Sequence, residues 1–255
     1  MDVLDLFEGL SGKISFYYKN LISGEELCFN ADEELVPASV MKLFVLTEAF
    51  RRFEEGSLLR DEVVTISRAQ CYPSCGAINY LHDDFSLTVH DLCVLMIILS
   101  DNTATNALID MLQIDNINAS INSLGLQSSC IRRRLFDSES AARGIENCAS
   151  ARDCGRWFEM AYKGEIISQN ASAEMLQIFK NQRLNGKIPF YIHSLENACP
   201  IAHKTGEDKG ITHDVGIVFS DEPFVICFMG NDTDVPRFER VMAEASLMLF
   251  NANMN

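Results

Sequence analysis

The sequence predicts an α/β (α+β) fold in which strands from both ends of the chain form one antiparallel sheet flanked by helices. Two apolar segments near the start, KISFYYKN (13–20) and EELCFN (25–30), flank a glycine-containing turn and predict a hairpin. Three more segments rich in β-branched residues lie near the end: IAHKTG (201–206), THDVGIVFS (212–220) and PFVICFMGN (223–231). The segments between these strands have helical character, so the two ends of the chain are expected to meet in the sheet.

Six segments in the middle of the chain predict helices, because each has an apolar repeat of helical period and several begin at a Ser, Thr or Asn cap. They are 39–56, 88–100, 102–112, 116–125, 150–164 and 172–182, and a final helix is predicted at 235–250, with Pro236 near its first turn. We expect one domain over 1–255 with two lobes. The sheet lobe takes approximately 1–58 and 184–255, and an inserted all-helical lobe takes approximately 59–183, with a ligand cleft between them.

Composition and charge exclude several classes of function. The formal net charge of -15 would repel a phosphate backbone, so nucleic acid is not an expected partner. The apolar run at 92–100 is too short to span a membrane, which takes about 20 residues. The acidic N-terminus lacks the basic start and apolar stretch of a secretory signal. We expect a small-molecule partner and a monomer.

The nine cysteines are an odd number and show no zinc-finger spacing. An odd number favours a reducing compartment, so we expect either a cytoplasmic protein or an exported one whose signal has been removed. A disulfide between Cys71 and Cys75 is a minor alternative. The five histidines lack metal-ligand spacing, and we expect neither a metal nor a cofactor.

Ser39 and Lys42 lie one turn apart at the predicted start of a buried helix. A lysine held out of water beside other cations loses its proton readily and can serve as the base that activates a serine hydroxyl. The alternative is that Ser39 is an ordinary helix cap and Lys42 a surface residue with a partly buried stem.

Two further motifs favour the catalytic interpretation. S-D-N at 100–102 lies between two predicted helices, and K-T-G at 204–206 lies on a predicted strand. The set S-x-x-K, S-D-N and K-T-G is the signature of class A β-lactamases and penicillin-binding proteins. In the order and separation of these motifs, and in the layout of nearly the whole chain, the sequence resembles that superfamily.

The resemblance implies a role for each matching residue. Ser39 would attack a carbonyl and become acylated, Lys42 would accept or relay its proton, and Ser100 would pass a proton to the departing nitrogen. Lys204 and Thr205 of the K-T-G motif, which ends at Gly206, would hold the substrate's carboxylate. Asn102 would bind the substrate's amide side chain, and the backbone N–H groups of Ser39 and Glu207 would form an oxyanion hole.

The sequence departs from the family pattern at two places. No E-x-x-L-N occurs in the region 131–153, where class A enzymes carry the glutamate that activates the deacylating water. Asp137 and Glu139 lie near the expected position, and each is either a substitute base or a solvated loop acid. Glu207 and Asp208 follow K-T-G and would bring negative charge towards a carboxylate pocket. A triad built on His203 or His213 is a weaker alternative.

We therefore expect a serine hydrolase that forms an acyl-serine with β-lactams and hydrolyses them as β-lactamases do. Two alternatives stay open. One is a D-Ala-D-Ala peptidase or esterase on the same scaffold, acting on a peptidoglycan-like peptide. The other is a penicillin-binding or sensor protein that does not hydrolyse its acyl-enzyme.

Overall fold

The computed structural model of the protein describes residues 3–73, 75–82 and 84–254. These residues form seven strands: β1 (Lys13–Asn20), β2 (Glu26–Phe29), β3 (Val63–Ile66), β4 (Phe85–Thr88), β5 (Ile201–Asp208), β6 (Ile211–Val218) and β7 (Phe224–Asn231). Five of them form an antiparallel sheet in the order β2-β1-β7-β6-β5. β1 pairs with β7 along its whole length, with Phe16 opposite Phe228, so the two ends of the chain meet in one sheet as predicted.

The described residues also form nine α-helices. They are α1 (Lys42–Glu55), α2 (Val89–Ile98), α3 (Asn102–Leu112), α4 (Ile114–Ser123), α5 (Ser138–Ala142), α6 (Ala151–Lys163), α7 (Gln169–Lys180), α8 (Pro189–Ile192) and α9 (Val235–Ala252). The side chain of Ser150 caps α6 at the predicted position, whereas α7 is capped by Ser168 and so begins before the predicted start at residue 172.

Alternating side chains of β1 serve two separate cores, because successive residues of a strand point to opposite faces. Phe16 packs against Phe228, with ring centroids 5.2 Å apart, on the face that α9 covers. Tyr17 points into the larger core that contains α1 and α6. With helices on both faces, every residue of β7 is buried, which explains its continuous apolar sequence.

Helix α1 runs through the larger core, and its residues 42–50 are all buried. It packs against α3 and α4 and ends at Gly56, which adopts the left-handed conformation that a helix C-terminus often requires. Because α1 lies in a core to which both lobes contribute, the predicted lobe boundaries near residues 58 and 184 stay a prediction.

The prediction of an all-helical inserted lobe needs one correction. β3 and β4 pair as a small antiparallel sheet, with Val63 opposite Thr88 and Ile66 opposite Phe85. Each strand has only four residues and gains its stability from a partner far along the chain, so local periodicity does not reveal it. Cys71 and Cys75, the minor alternative for a disulfide, are not disulfide-bonded.

Candidate active site

A cavity of about 470 Å³ opens where four segments meet. These are the turn before α1, the loop between α2 and α3, strand β5, and a long loop at 131–147 that we call the wall loop. The lining residues on the first three segments include Ser39, Ser100, Asn102, Thr205 and Glu207. The structure thus brings three motifs that are far apart in the sequence to one cavity, of a size that suits a small-molecule ligand.

Ser39 lies in a 3-10 turn, Ala38–Met41, rather than at the cap of the α-helix. Helix α1 starts at Lys42, and no side chain caps it. Ala38 has φ 43°, a left-handed conformation that is strained for alanine and that sets the direction of the following serine. The backbone N–H of Ser39 belongs to the first residues of the turn, where N–H groups have no acceptor within the turn.

Lys42 is fully buried beneath this turn. Its Nζ lies 2.8 Å from Ser100 O, 3.0 Å from Ser100 Oγ and 3.0 Å from Asn102 Oδ1. Burial lowers the pKa of Lys42 well below its ordinary value, and the neighbouring charge of Lys204 lowers it further. Two of the three contacts must be donated by the amine, because carbonyl and amide oxygens only accept. A neutral amine has only two protons, so in its third contact the Ser100 hydroxyl donates to the amine.

Ser100 stands between two buried amines. Its Oγ lies 3.0 Å from Lys42 Nζ and 3.1 Å from Lys204 Nζ, so one hydroxyl joins the first and third motifs. Ser100 has φ 53°, a second strained non-glycine residue at the cavity. A hydroxyl has one proton and two lone pairs, so Ser100 can accept from one amine and donate to the other.

Lys204 is fully buried on β5, and its Nζ also donates to Thr205 O at 2.8 Å. Burial lowers the pKa of Lys204 to about 7, although the carboxylate of Asp214 acts in the opposite direction. Two amines with lowered pKa values, joined by a hydroxyl, are suited to moving a proton near neutral pH.

Asp101 fixes the loop between α2 and α3. One carboxylate oxygen accepts from Ala104 N and caps α3, and the other accepts from Ala77 N at 2.8 Å and Ile78 N at 2.9 Å. Gly76 packs so closely on Asp101 that a Cβ there would lie 2.2 Å from the carboxylate. Asp101 thereby holds Ser100 and Asn102 on either side of it in fixed positions.

Gly206 lets β5 approach the turn that carries Ser39. A Cβ at this glycine would lie 2.9 Å from Pro37 O and 3.1 Å from Cγ2 of Val40. The next residue, Glu207, lines the cavity, and its Oε1 accepts from Lys187 Nζ at 2.7 Å. The expected repulsion of a substrate carboxylate by Glu207 is therefore reduced by a cation that the sequence analysis did not identify.

His203 and His213 do not line the cavity, and the ring nitrogens of both make hydrogen bonds within the protein. His203 contacts Asp214 Oδ1 at 2.8 Å and Asn185 Oδ1 at 3.0 Å. His213 accepts at Nδ1 from Gly230 N, so its Nε2 donates to Val36 O, and burial lowers its pKa to about 4. Both histidines serve the packing of β5 and β6, so the geometry gives no support to a histidine triad.

The two predicted deacylation bases lie in different settings on the wall loop. Asp137 lines the cavity, but its carboxylate caps α5 by accepting from Ser140 N at 3.0 Å, and this hydrogen bond lowers the pKa of Asp137. Glu139 is exposed and is not among the lining residues. Of the two, only Asp137 faces the cavity.

Several lining residues were not identified from the sequence. Leu135 presents an apolar side chain to the cavity, and its backbone is held by Asn106 through bonds of 2.9 and 3.0 Å. Glu146 also lines the cavity, but it is paired with Arg133 at 2.9 Å. Cys75 is another lining residue. These residues belong to no motif, so only the tertiary structure reveals them.

Comparison with known proteins identifies the family. The sequence model described as "Beta-lactamase enzyme family" matches residues 2–252. The chain belongs to the β-lactamase enzyme family. It is 23% identical over 239 residues to β-lactamase FAR-1 of Nocardia farcinica (strain IFM 10152), a match that covers 90% of this chain and 74% of that protein.

Two solved structures resemble this family member over nearly the whole length of its chain. The β-lactamase from Sphaerobacter thermophilus DSM 20745 is 27% identical with a TM-score of 0.91, over 99% of this chain and 98% of that one. A mutant of PBP-A, solved as an acyl-enzyme complex with penicillin G, is 26% identical with a TM-score of 0.86, over 98% and 93% of the two chains. The predicted fold class is confirmed, and the protein is a class A β-lactamase-like serine hydrolase.

Within residues 3–73, 75–82 and 84–254, no group of three His, Cys, Asp or Glu side chains could hold a metal ion. None of the helices in these ranges is long and apolar enough to cross a membrane.

Proposed function

We propose that the protein acylates Ser39 with β-lactams or related amides and releases the acyl group slowly. The observation that carries this proposal is the Lys42–Ser100–Lys204 chain of hydrogen bonds, which lies beside a cavity-lining serine. Burying two amines beside one hydroxyl is unfavourable for stability, because burying charge is costly. Packing alone therefore does not explain why three motifs that are distant in sequence form this arrangement.

In the acylation step, Ser39 Oγ attacks the amide carbonyl while its proton passes to Lys42, whose lowered pKa favours the neutral amine. The carbonyl oxygen takes up the negative charge and accepts hydrogen bonds from the backbone N–H groups of Ser39 and Glu207. Donors fixed in this way are worth about 3–4 kcal/mol each in the transition state. Collapse of the intermediate breaks the C–N bond, and Ser100 transfers a proton from the lysine pair to the departing nitrogen.

Substrate binding is assigned to the lining residues Asn102 and Thr205 and to Lys204 and Gly206, which neighbour Thr205 on β5. Lys204, Thr205 and the backbone at Gly206 hold a carboxylate on the substrate. Asn102, whose Nδ2 also donates to Pro73 O at 3.3 Å, binds the amide side chain of the substrate. The ion pair between Lys187 and Glu207 supports this assignment, because it reduces the repulsion between Glu207 and a substrate carboxylate at this point.

The slow release follows from the groups on the wall loop. A general base must reach its water within hydrogen-bond distance. Asp137 already caps α5, Glu146 is paired with Arg133, and Leu135 is apolar. The protein therefore holds its acyl group longer than an efficient β-lactamase, with Asp137 as the remaining candidate base. The mutant of PBP-A that was solved as an acyl-enzyme complex with penicillin G supports the acylation part of the proposal.

Intact-mass spectrometry after mixing with penicillin G tests the proposal. The expected result is stoichiometric addition of one penicillin that persists over many minutes, absent from Ser39→Ala and present in Ser138→Ala. Ser138 is a suitable control because it also lines the cavity but makes no contact with either lysine. Labelling of Ser39→Ala would refute the nucleophile, and mass recovery within seconds would refute slow release.

A second candidate is a peptidase or esterase, which the cavity-lining Ser39 and the involvement of Asp137 and Glu146 in other contacts also favour. A panel of D-Ala-D-Ala peptides and small esters, run against a chromogenic cephalosporin, separates the two. Faster turnover of peptide or ester than of the cephalosporin would favour the second candidate.

A further inference from the structure

Two cysteines stand at the base of the wall loop, where it leaves and rejoins the body of the protein. Cys130 and Cys148 face each other in an isolated antiparallel bridge, with N–O distances of 2.9 and 3.0 Å in the two directions. Their sulfur atoms lie 3.0 Å apart. Neither cysteine belongs to the K-T-G, S-D-N or S-x-x-K motifs.

The backbone at this bridge already has the geometry that a disulfide needs. Residues that exchange both hydrogen bonds in an antiparallel pair have Cα atoms about 5.5 Å apart. Natural disulfides join Cα atoms about 4.4–6.8 Å apart, most often near 5.5–6 Å. The sulfurs therefore need to move by only about 1 Å in total to reach bonding distance.

We propose that Cys130 and Cys148 form a reversible disulfide that locks the wall loop of the candidate active site. The bond would close a ring around residues 131–147. That segment contributes Arg133, Leu135, Asp137 and Glu146 to one side of the cavity. The proposal rests on the positions of the two cysteines and does not depend on the catalytic roles assigned above.

The exposure of the two thiols determines which of them reacts first with an oxidant. Cys130 is partly exposed, whereas Cys148 is 7% exposed. Burial, together with the contact to Cys130, raises the pKa of Cys148 to about 12, so the thiolate that attacks first comes from Cys130.

A small disulfide such as oxidised glutathione is the oxidant. The thiolate of Cys130 attacks one glutathione sulfur, forms a mixed disulfide and displaces one glutathione thiolate, which takes up the proton that Cys130 lost. The sulfur of Cys148 then loses its proton and attacks the sulfur of Cys130, and the second glutathione leaves as a thiol. The protein pair loses two electrons and two protons, and the glutathione disulfide gains both.

Without this bond, the base of the wall loop is held by non-covalent contacts. Asn147 Oδ1 accepts from Arg132 N at 2.8 Å and from Arg133 N at 3.0 Å. The side chains of Arg133 and Glu146 form an ion pair. A covalent link at the base would limit opening of the loop and restrict the unfolded chain, since a ring of this length loses conformational entropy when it is closed.

The test compares the whole protein after incubation with dithiothreitol and with oxidised glutathione. Oxidation is expected to make the protein lighter by two hydrogen atoms, to lower the titratable thiols from nine to seven, and to raise Tm by about 5–10 °C. Trypsin can cut the loop at Arg132, Arg133, Arg134 or Arg143. The fragments of the oxidised protein should run together on a non-reducing gel and separate after reduction.

Matched variants decide whether this pair is responsible. Cys130→Ser and Cys148→Ser should lose the mass change and the linked fragments, whereas Cys71→Ser and Cys75→Ser should retain them. Serine is close to cysteine in size, and Tm of each reduced variant verifies its fold. A linkage that persists in Cys130→Ser, or a wild-type protein that keeps nine thiols under glutathione, would overturn the proposal.

Discussion

Replacing Gly206 by alanine is expected to separate the K-T-G strand from the turn that carries Ser39. The new Cβ would lie 2.9 Å from Pro37 O and 3.0 Å from Cδ2 of His213. Real Cβ atoms rarely approach other atoms this closely, and neither neighbour is free to move. Pro37 O accepts from Val40 N within the turn, and His213 is held by two backbone hydrogen bonds.

The size of the effect follows from the two consequences of this clash. Overfilling a packed interior by one methyl group costs about 1–3 kcal/mol. In a chain of this length, 1 kcal/mol shifts Tm by about 2–4 °C, so Gly206→Ala should lower Tm by roughly 2–12 °C. Moving the strand by a few tenths of an ångström to 1 Å should also slow acylation of Ser39, by up to about 100-fold.

Thermal unfolding and the rate of penicillin labelling, measured on the same samples, provide the assay. Gly186→Ala is the matched control, because a Cβ there meets nothing within 4 Å and no left-handed φ is required. It should keep wild-type labelling and a Tm equal to or slightly above that of the wild type. If Gly206→Ala has the same Tm and the same labelling rate as the Gly186→Ala control, the inference that the strand and the turn approach closely at Gly206 is wrong.

Three further predictions concern the titratable groups of the site. Lys42→Met should abolish labelling of Ser39, a loss of more than about 1,000-fold, while Tm stays equal or rises because a buried amine is replaced by an apolar side chain; a large fall in Tm would show that the amine is structural. The folded-state pKa of Lys204, about 7, lies below its unfolded value, so the charged form of Lys204 destabilises the folded protein at pH 6. The free energy of unfolding therefore increases as the pH rises above 7 and the folded protein loses this proton. Lys204→Met should therefore be most stabilised relative to the wild type at pH 6, and calorimetry should find that this advantage shrinks by about 2–3 kcal/mol by pH 9; a constant difference would contradict the lowered pKa. Asp137→Asn should slow release of the acyl group with little change in Tm, since asparagine also caps helices well. Glu139→Gln should release the acyl group at the wild-type rate. Equal release rates in the wild type and both variants would show that neither carboxylate acts as the base.

Much of the fold was determined by the sequence alone, because the relevant signals are local. The apolar segments of β1, β6 and β7 and the capped helices between them have periodicities that short stretches of chain reveal. Placing strands at both ends and helices between them leaves few arrangements other than one shared sheet. The motif residues Ser39, Ser100 and Lys204 were also identified from sequence, since each motif is a short pattern of fixed order.

The tertiary structure decided the features that depend on partners distant in the chain. The short strands β3 and β4 have no stable existence until they pair. The ion pair that reduces the repulsion by Glu207 requires Lys187, which precedes β5 and belongs to no motif. The pKa values of Lys42 and Lys204 are lowered because both amines are buried around one shared hydroxyl. Cys130 and Cys148 face each other because the two ends of the wall loop pair in an antiparallel bridge. Burial and long-range contact are properties of the packed chain, so no short stretch of sequence carries them.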